Sequence, residues 1–274
     1  MAASRQADPL AVAQAIADLF AALPQVEAVA LAGSQTTGVA DAESDLDMYV
    51  YSDAPIPVAD RARLIRPRAA RLELDNQFWE PGDEWVEAAS GLGVDLMYRP
   101  PTFIEGQLDR VLVAHEASVG YSTAFWHNVL TSRPLFDRHG WFARLQARAR
   151  QPFPEPLRRA IIAKNEPLLT RNLSSYRHQL ERAVAHRDLV SVNHRVAALL
   201  ASYFDILFAL NRVPHPGEKR QVAFAEQSCP RRPVGMTEQV EGLLRAAASA
   251  DETVLAQVDR LVEGLQPLLR DEFP

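Results

Sequence analysis

Apolar positions recur along this chain with two different periods, and the change from one to the other divides it. Over residues 9–23, Leu10, Ala13, Ile16, Ala17 and Phe20 fall at helical spacing, which predicts an amphipathic helix. The run VEAVALA (26–32) predicts a short buried strand, and LDMYVY (46–51) alternates and is rich in β-formers, a second strand. Residues 58–70 predict a short helix whose end is weakened by Pro67. RLELDNQF (71–78) alternates Leu72 and Leu74 with polar neighbours, a third strand, and GVDLMY (93–98) is a fourth. Helical patterns follow over 102–117, 122–130 and 141–150.

Beyond residue 150 the period-two signal disappears. Pro152, Pro154 and Pro156 interrupt the chain, because proline cannot continue a helix and biases its predecessor towards extended geometry. Residues 155–187 then read as one long helix, with a kink near Pro167. Residues 189–211 form a second, apolar along Val192, Val196, Leu199, Tyr203, Ile206 and Leu210. Shorter helices are expected over 221–227, 237–248 and 251–269. The fold class is therefore α+β: a small mixed sheet flanked by helices over 1–150, then an all-α bundle over 151–274.

Composition narrows the function classes. At 47% hydrophobic and 23% charged residues the chain is globular rather than disordered. A net charge of −6 disfavours nucleic acid as a partner, since phosphate binding needs a basic track. The acidity is concentrated in 1–150, at −7, against +1 for 151–274. One cysteine, Cys229, excludes an intrachain disulfide and a multi-thiolate zinc site. The seven histidines lack ligand spacing and are expected as core or surface residues. No apolar run approaches the roughly 20 residues of a membrane span, and no secretory leader is evident. A cytoplasmic monomer or homodimer with no membrane partner is the expectation. The basic side chains are 27 Arg and only two Lys, Lys164 and Lys219. A lysine that survives such a bias marks a place where a compact ammonium serves better than a guanidinium.

Most of the chemistry lies in LAGSQTTGVADAESDLD (31–47). A buried strand ends at Gly33 and Ser34. Glycine permits a sharp turn and close approach of a ligand, and a small hydroxyl with free backbone N–H groups can cradle a phosphate. Asp45 and Asp47 then stand at i and i+2, on one face of a strand. Two such carboxylates repel unless a cation sits between them, and oxygen-only ligands suit Mg²⁺ or Mn²⁺. Asp95 is a third, placed in the middle of an apolar strand where an unpartnered carboxylate would be costly. If its strand lies beside that of Asp45 and Asp47, the three acids can converge.

Gly33-Ser34, ten residues, Asp45-Leu46-Asp47 and a later strand aspartate together resemble the signature of the nucleotidyltransferase fold of the DNA polymerase beta superfamily, over about residues 8–110. The whole chain is similar to the aminoglycoside and lincosamide nucleotidyltransferases. It is also similar to a bacterial family of nucleotidyltransferase-like proteins, through FALNR (208–212) and HPGEKR (215–220). The resemblance implies transfer of an NMP from an NTP, in the first instance ATP, to a hydroxyl of a small molecule. It implies that Gly33 and Ser34 contact the nucleotide phosphates, that Asp45 and Asp47 hold the metal, and that Asp95 completes the metal site or acts as the base towards the acceptor. It further implies a general base after the Asp95 strand, for which Glu105 is a candidate, and a basic residue of the helical domain on the triphosphate, Lys219 or Lys164. Two other classes stay open: a protein nucleotidylyltransferase, and a non-catalytic nucleotide sensor or antitoxin-like protein.

FWEPGDEW (78–85) is expected as a loop anchored by Phe78, Trp79 and Trp85. Its Glu80, Asp83 and Glu84 would suit a cationic acceptor if they lined a pocket. Asp41 and Glu43 read as loop acids, and Cys229 as unreactive.

Overall fold

Helix α1 (Pro9–Ala21) starts where Asp8 accepts the Leu10 N–H at 3.1 Å and Pro9, which needs no hydrogen-bond partner for its nitrogen, takes the first position. The computed structural model describes residues 8–37, 44–78 and 80–272. Asp41, Glu43 and Trp79 lie outside the described residues, as do the side chains of Ser34, Thr37, Asp271 and Glu272. The buried stripe of α1, Ala13, Ile16, Ala17 and Phe20, covers one face of a sheet and shares a core with Val29, Leu31, Leu46, Met48, Val50, Val94 and Leu96. Each large apolar side chain so buried contributes about 1.5–3 kcal/mol.

The sheet has six strands: β1 (Val26–Leu31), β2 (Leu46–Ser52), β3 (Ala69–Asn76), β4 (Gly82–Glu87), β5 (Gly93–Arg99) and β6 (Arg133–Asp137). Their order is β3-β4-β5-β2-β1-β6. Only β2 and β5 are parallel, and the other neighbouring pairs are antiparallel. Between the strands lie α2 (Ser34–Thr37), α3 (Val58–Ile65), α4 (Pro101–Leu112) and α5 (Ala124–Thr131), and α6 (Trp141–Ala149) follows β6. On the sheet face away from α1, Tyr51 packs against Trp141 and Phe142 of α6, with ring centroids 5.1 and 5.5 Å apart. Both faces of β2 are therefore covered, which is why it is buried almost without interruption.

The α+β class agrees with the sequence pattern, but three elements differ. Residues 82–87 form a strand rather than the end of a loop. Its inward positions are Asp83, Trp85 and Glu87, so carboxylates occupy places where a hydrophobic pattern expects apolar groups. Arginines make this tolerable: Arg61 pairs with Asp83 and Arg68 with Glu87, each at 2.9 Å. β6 carries Pro134 and two charged ends, a composition suited only to the sheet edge it occupies. The expected helix over 155–187 is broken into α7 (Glu155–Leu169) and α8 (Tyr176–Ala185). Pro167 lies in the last turn of α7, and Ser175 caps α8 by accepting the His178 N–H at 3.3 Å.

The chain forms two compact units, Met1–Leu108 with Asn128–Gln151, and Asp109–His127 with Pro152–Pro274. The second unit is helical among its described residues, with α9 (Leu189–Leu210), α10 (Gln221–Ser228), α11 (Met236–Ala247) and α12 (Glu252–Glu272) following α8. Helix α9 packs against α7, α8, α10, α11 and α12, and from Ser202 to Leu210 every residue is buried. Residues 109–127 join this unit through a buried polar knot. The Ser122 N–H and Oγ donate to the Asp205 carboxylate at 3.0 and 2.6 Å, and the Gly120 N–H donates to Asn165 Oδ1 at 3.0 Å. No helix among the described residues is long and apolar enough to cross a membrane.

Candidate functional site

Topology brings the motif residues of the first unit to one end of the sheet. β1 runs antiparallel to β2, so its C-terminal end lies beside the start of β2. β5 runs parallel to β2, so the two strands start together. Gly33 follows β1, Asp45 lies immediately before β2 rather than on it, Asp47 is the second residue of β2, and Asp95 stands near the start of β5. Asp47 and Asp95 are register partners, which sets their Cα atoms about 5 Å apart with side chains on the same face.

Two glycines shape this end. Gly33 has φ +66°, and a methyl group on it would lie 1.8 Å from Asp47 Oδ2. A methyl group on Gly93 would lie 2.0 Å from Asp45 Oδ1. The Asp47 and Asp45 carboxylates thus rest directly on bare glycine Cα atoms. Among the described residues, no group of three His, Cys, Asp or Glu side chains is drawn close enough together to hold a metal ion as placed.

The acidic row continues past Asp95. Glu84 on β4 is its register partner, and Glu73 on β3 is the partner of Glu84. Antiparallel partners share a face, so Asp47, Asp95, Glu84 and Glu73 cross four strands in line. A cavity of about 350 Å³ lies over this row, lined by Asp45, Arg71, Glu73, Glu84, Gly93 and Asp95 among others. Sequence reasoning gave no role to Glu73 and Arg71, and it set Glu84 on a loop. The alternation within GDEWVE was the available signal.

The other candidates stand elsewhere. Ser34 opens α2 immediately after Gly33. Glu105, on α4, is half-buried, and its Oε1 accepts the Trp141 Nε1–H at 2.7 Å. Trp141 packs on Tyr51, which is four residues along β2 from Asp47, about 13 Å of strand. Lys164, on α7, and Lys219, between α9 and α10, are exposed residues of the second unit.

The expected acidic acceptor loop is largely consumed by structure. Asp83 is wholly buried and accepts from Arg61 Nη1, the Asp75 N–H and Tyr98 Oη at 2.9, 2.8 and 2.6 Å. Glu80 receives two hydrogen bonds from Arg99, at 2.5 and 2.7 Å. Of the three carboxylates only Glu84 remains on the cavity wall. In the second unit Cys229 is buried, and burial pushes its thiol up to about 12, in keeping with an unreactive residue. His215 is buried, its Nδ1 accepts the Gly217 N–H at 3.1 Å, and burial lowers its pKa to about 3.

No protein-family model matches the chain, and no curated sequence matches it. A solved structure that does match is a nucleotidyltransferase-like protein from Exiguobacterium sibiricum 255-15. The two chains are 14% identical, the match covers 93% of this chain and 72% of that one, and the TM-score is 0.45.

Proposed function

We propose that this protein is a nucleotidyltransferase, moving an NMP from an NTP (ATP in the first instance) to a hydroxyl of a small-molecule acceptor and releasing pyrophosphate. The observation that carries the reading is the in-register pairing of Asp47 with Asp95, with Asp45 and Asp47 seated on Gly93 and Gly33 at the same sheet end. The donor set is oxygen-only, which fits Mg²⁺ or Mn²⁺, and Asp45, Asp47 and Asp95 would hold it. When bound, such ions offset triphosphate charge and favour ionisation of an attacking hydroxyl.

The chain's own groups divide the remaining work. Gly33 gives Asp47 its seat, Ser34 stands where α2 begins, and both are candidates for the nucleotide phosphates through the sequence resemblance. Asp95 would accept the acceptor's proton. Glu105 is the alternative base, and its Oε1 already accepts the Trp141 indole N–H. Lys164 and Lys219 are candidates for the triphosphate through the sequence resemblance alone. Glu84 and Glu73, beyond Asp95 along the cavity, suit a hydroxylated acceptor that also carries amines.

The test is pyrophosphate release with each NTP across an acceptor panel, on wild type, Asp45→Asn and Asp47→Asn. Both carboxylates are at least partly accessible, so both variants should fold and lose at least about 100-fold in rate. Undiminished turnover in either folded variant sinks the assignment. A second reading, a nucleotide-binding protein that performs no transfer, is favoured by one observation: no three carboxylates of the described residues are already gathered for a metal. It predicts a melting-temperature rise with Mg²⁺ and ATP, no pyrophosphate with any acceptor, and unchanged intact mass.

A further inference from the structure

We propose that Gly93 is a positioning residue, present because the Asp45 carboxylate needs the space a side chain would fill. The inference rests on Asp45 being a metal ligand, and adds what holds it in place.

Glycine weakens a strand, so its presence at the start of β5 asks for a cause. Backbone conformation is not that cause. Gly33, Gly91, Gly120, Gly140, Gly217 and Gly235 have positive φ, whereas Gly93 does not, so any L residue could adopt its conformation. Backbone crowding is not the cause either. A methyl group on Gly82 would come within 3.1 Å of the Leu96 carbonyl oxygen, a fixed atom. The three nearest atoms to a methyl group on Gly93 all belong to Asp45: Oδ1 at 2.0 Å, Cγ at 2.8 Å and Cβ at 3.6 Å.

The consequence is directional. Asp45 is exposed and precedes β2, so its own element does little to fix its carboxylate. The bare Cα lets that carboxylate lie over β5, the strand that carries Asp95 two residues further on. An alanine would push it off the strand. Because the obstacle is the end of an exposed side chain, the displacement costs the fold little and falls on the ligand geometry.

The experiment is the melting temperature of the full-length protein at fixed ATP as Mn²⁺ is titrated, for wild type, Asp45→Asn, Gly93→Ala and the double variant. A ligand that binds only the native state raises the melting point by mass action, so the midpoint reads metal affinity without turnover. The expected result is that Gly93→Ala melts like wild type without metal, yet needs roughly 10- to 100-fold more Mn²⁺, the range for residues that orient a metal ligand. In the Asp45→Asn background Gly93→Ala should add much less, because the two act through one carboxylate. A wild-type midpoint in Gly93→Ala overturns the inference and leaves the site standing. A wild type that never responds to Mn²⁺, or an Asp45→Asn variant that responds normally, overturns the metal reading and the inference with it. If Gly93→Ala melts early without metal, Asp45→Ala/Gly93→Ala decides: recovery supports the seat, and persistent instability makes Gly93 a strand-packing residue.

Discussion

Asp205 offers a quantitative test of how the second unit is held together. It is 1% exposed on α9 and accepts from the Ser122 N–H, Ser122 Oγ and Asn165 Nδ2. Burial raises its pKa from 3.8 to about 7, against the opposing pull of those hydrogen bonds and of Arg110. The native carboxyl therefore keeps its proton up to about pH 7, while the unfolded chain releases it near 3.8. Stability from the neutral carboxyl is full below the unfolded value, falls as pH rises between the two values, and is flat above the native one. Linkage over the interval from about pH 5 to pH 8 gives a loss of about 2–3 kcal/mol. The perturbation is Asp205→Asn, neutral at every pH and nearly equal in volume. Burial lowers His127 to about 4 and His215 to about 3, so both favour stability as pH rises, but they do so in both proteins and cancel in the difference. Asparagine's amide nitrogen cannot accept the Asn165 or Ser122 donors, so the variant should be less stable than wild type at pH 5. That gap should narrow by about 2–3 kcal/mol by pH 8, about 1 M in urea midpoint. Urea titration followed by helical circular dichroism measures it, and a gap that stays constant with pH refutes the burial argument.

Two further outcomes follow from buried groups. Arg61→Ala leaves Asp83 wholly buried without its cation and should cost about 3–5 kcal/mol in urea denaturation. Arg61→Lys should recover little, since one ammonium does not reproduce the two nitrogens that reach Asp75 and Asp83 separately. Cys229 should resist a thiol reagent at neutral pH in the folded protein and react fully once denatured, and labelling of the native chain would contradict its burial.

Elements whose hydrophobic period agrees with their environment were legible in the chain alone. Helix α1, strands β1, β2 and β5, and helix α9 are mostly apolar where they are buried, with Ser52, Arg99, Ser202 and Asp205 as exceptions, so periodicity alone placed them close to their observed bounds. Gly33, Ser34, Asp45, Asp47 and Asp95 could be singled out by residue type and spacing alone, and Asp95 also because a carboxylate inside an apolar strand is costly without a partner. Other features depended on long-range packing. β4 was obscured because two of its three inward positions, Asp83 and Glu87, are carboxylates, acceptable only once Arg61 and Arg68 arrive from elsewhere in the chain. The break between α7 and α8 was hidden because Pro167 is tolerated inside a last helical turn, so the proline did not mark the boundary. The pairing of Asp47 with Asp95, the extension of the row to Glu84 and Glu73, and the seating of Asp45 on Gly93 are consequences of strand order and register. Order and register depend on which faces are buried together, and a chain's local pattern does not encode that pairing.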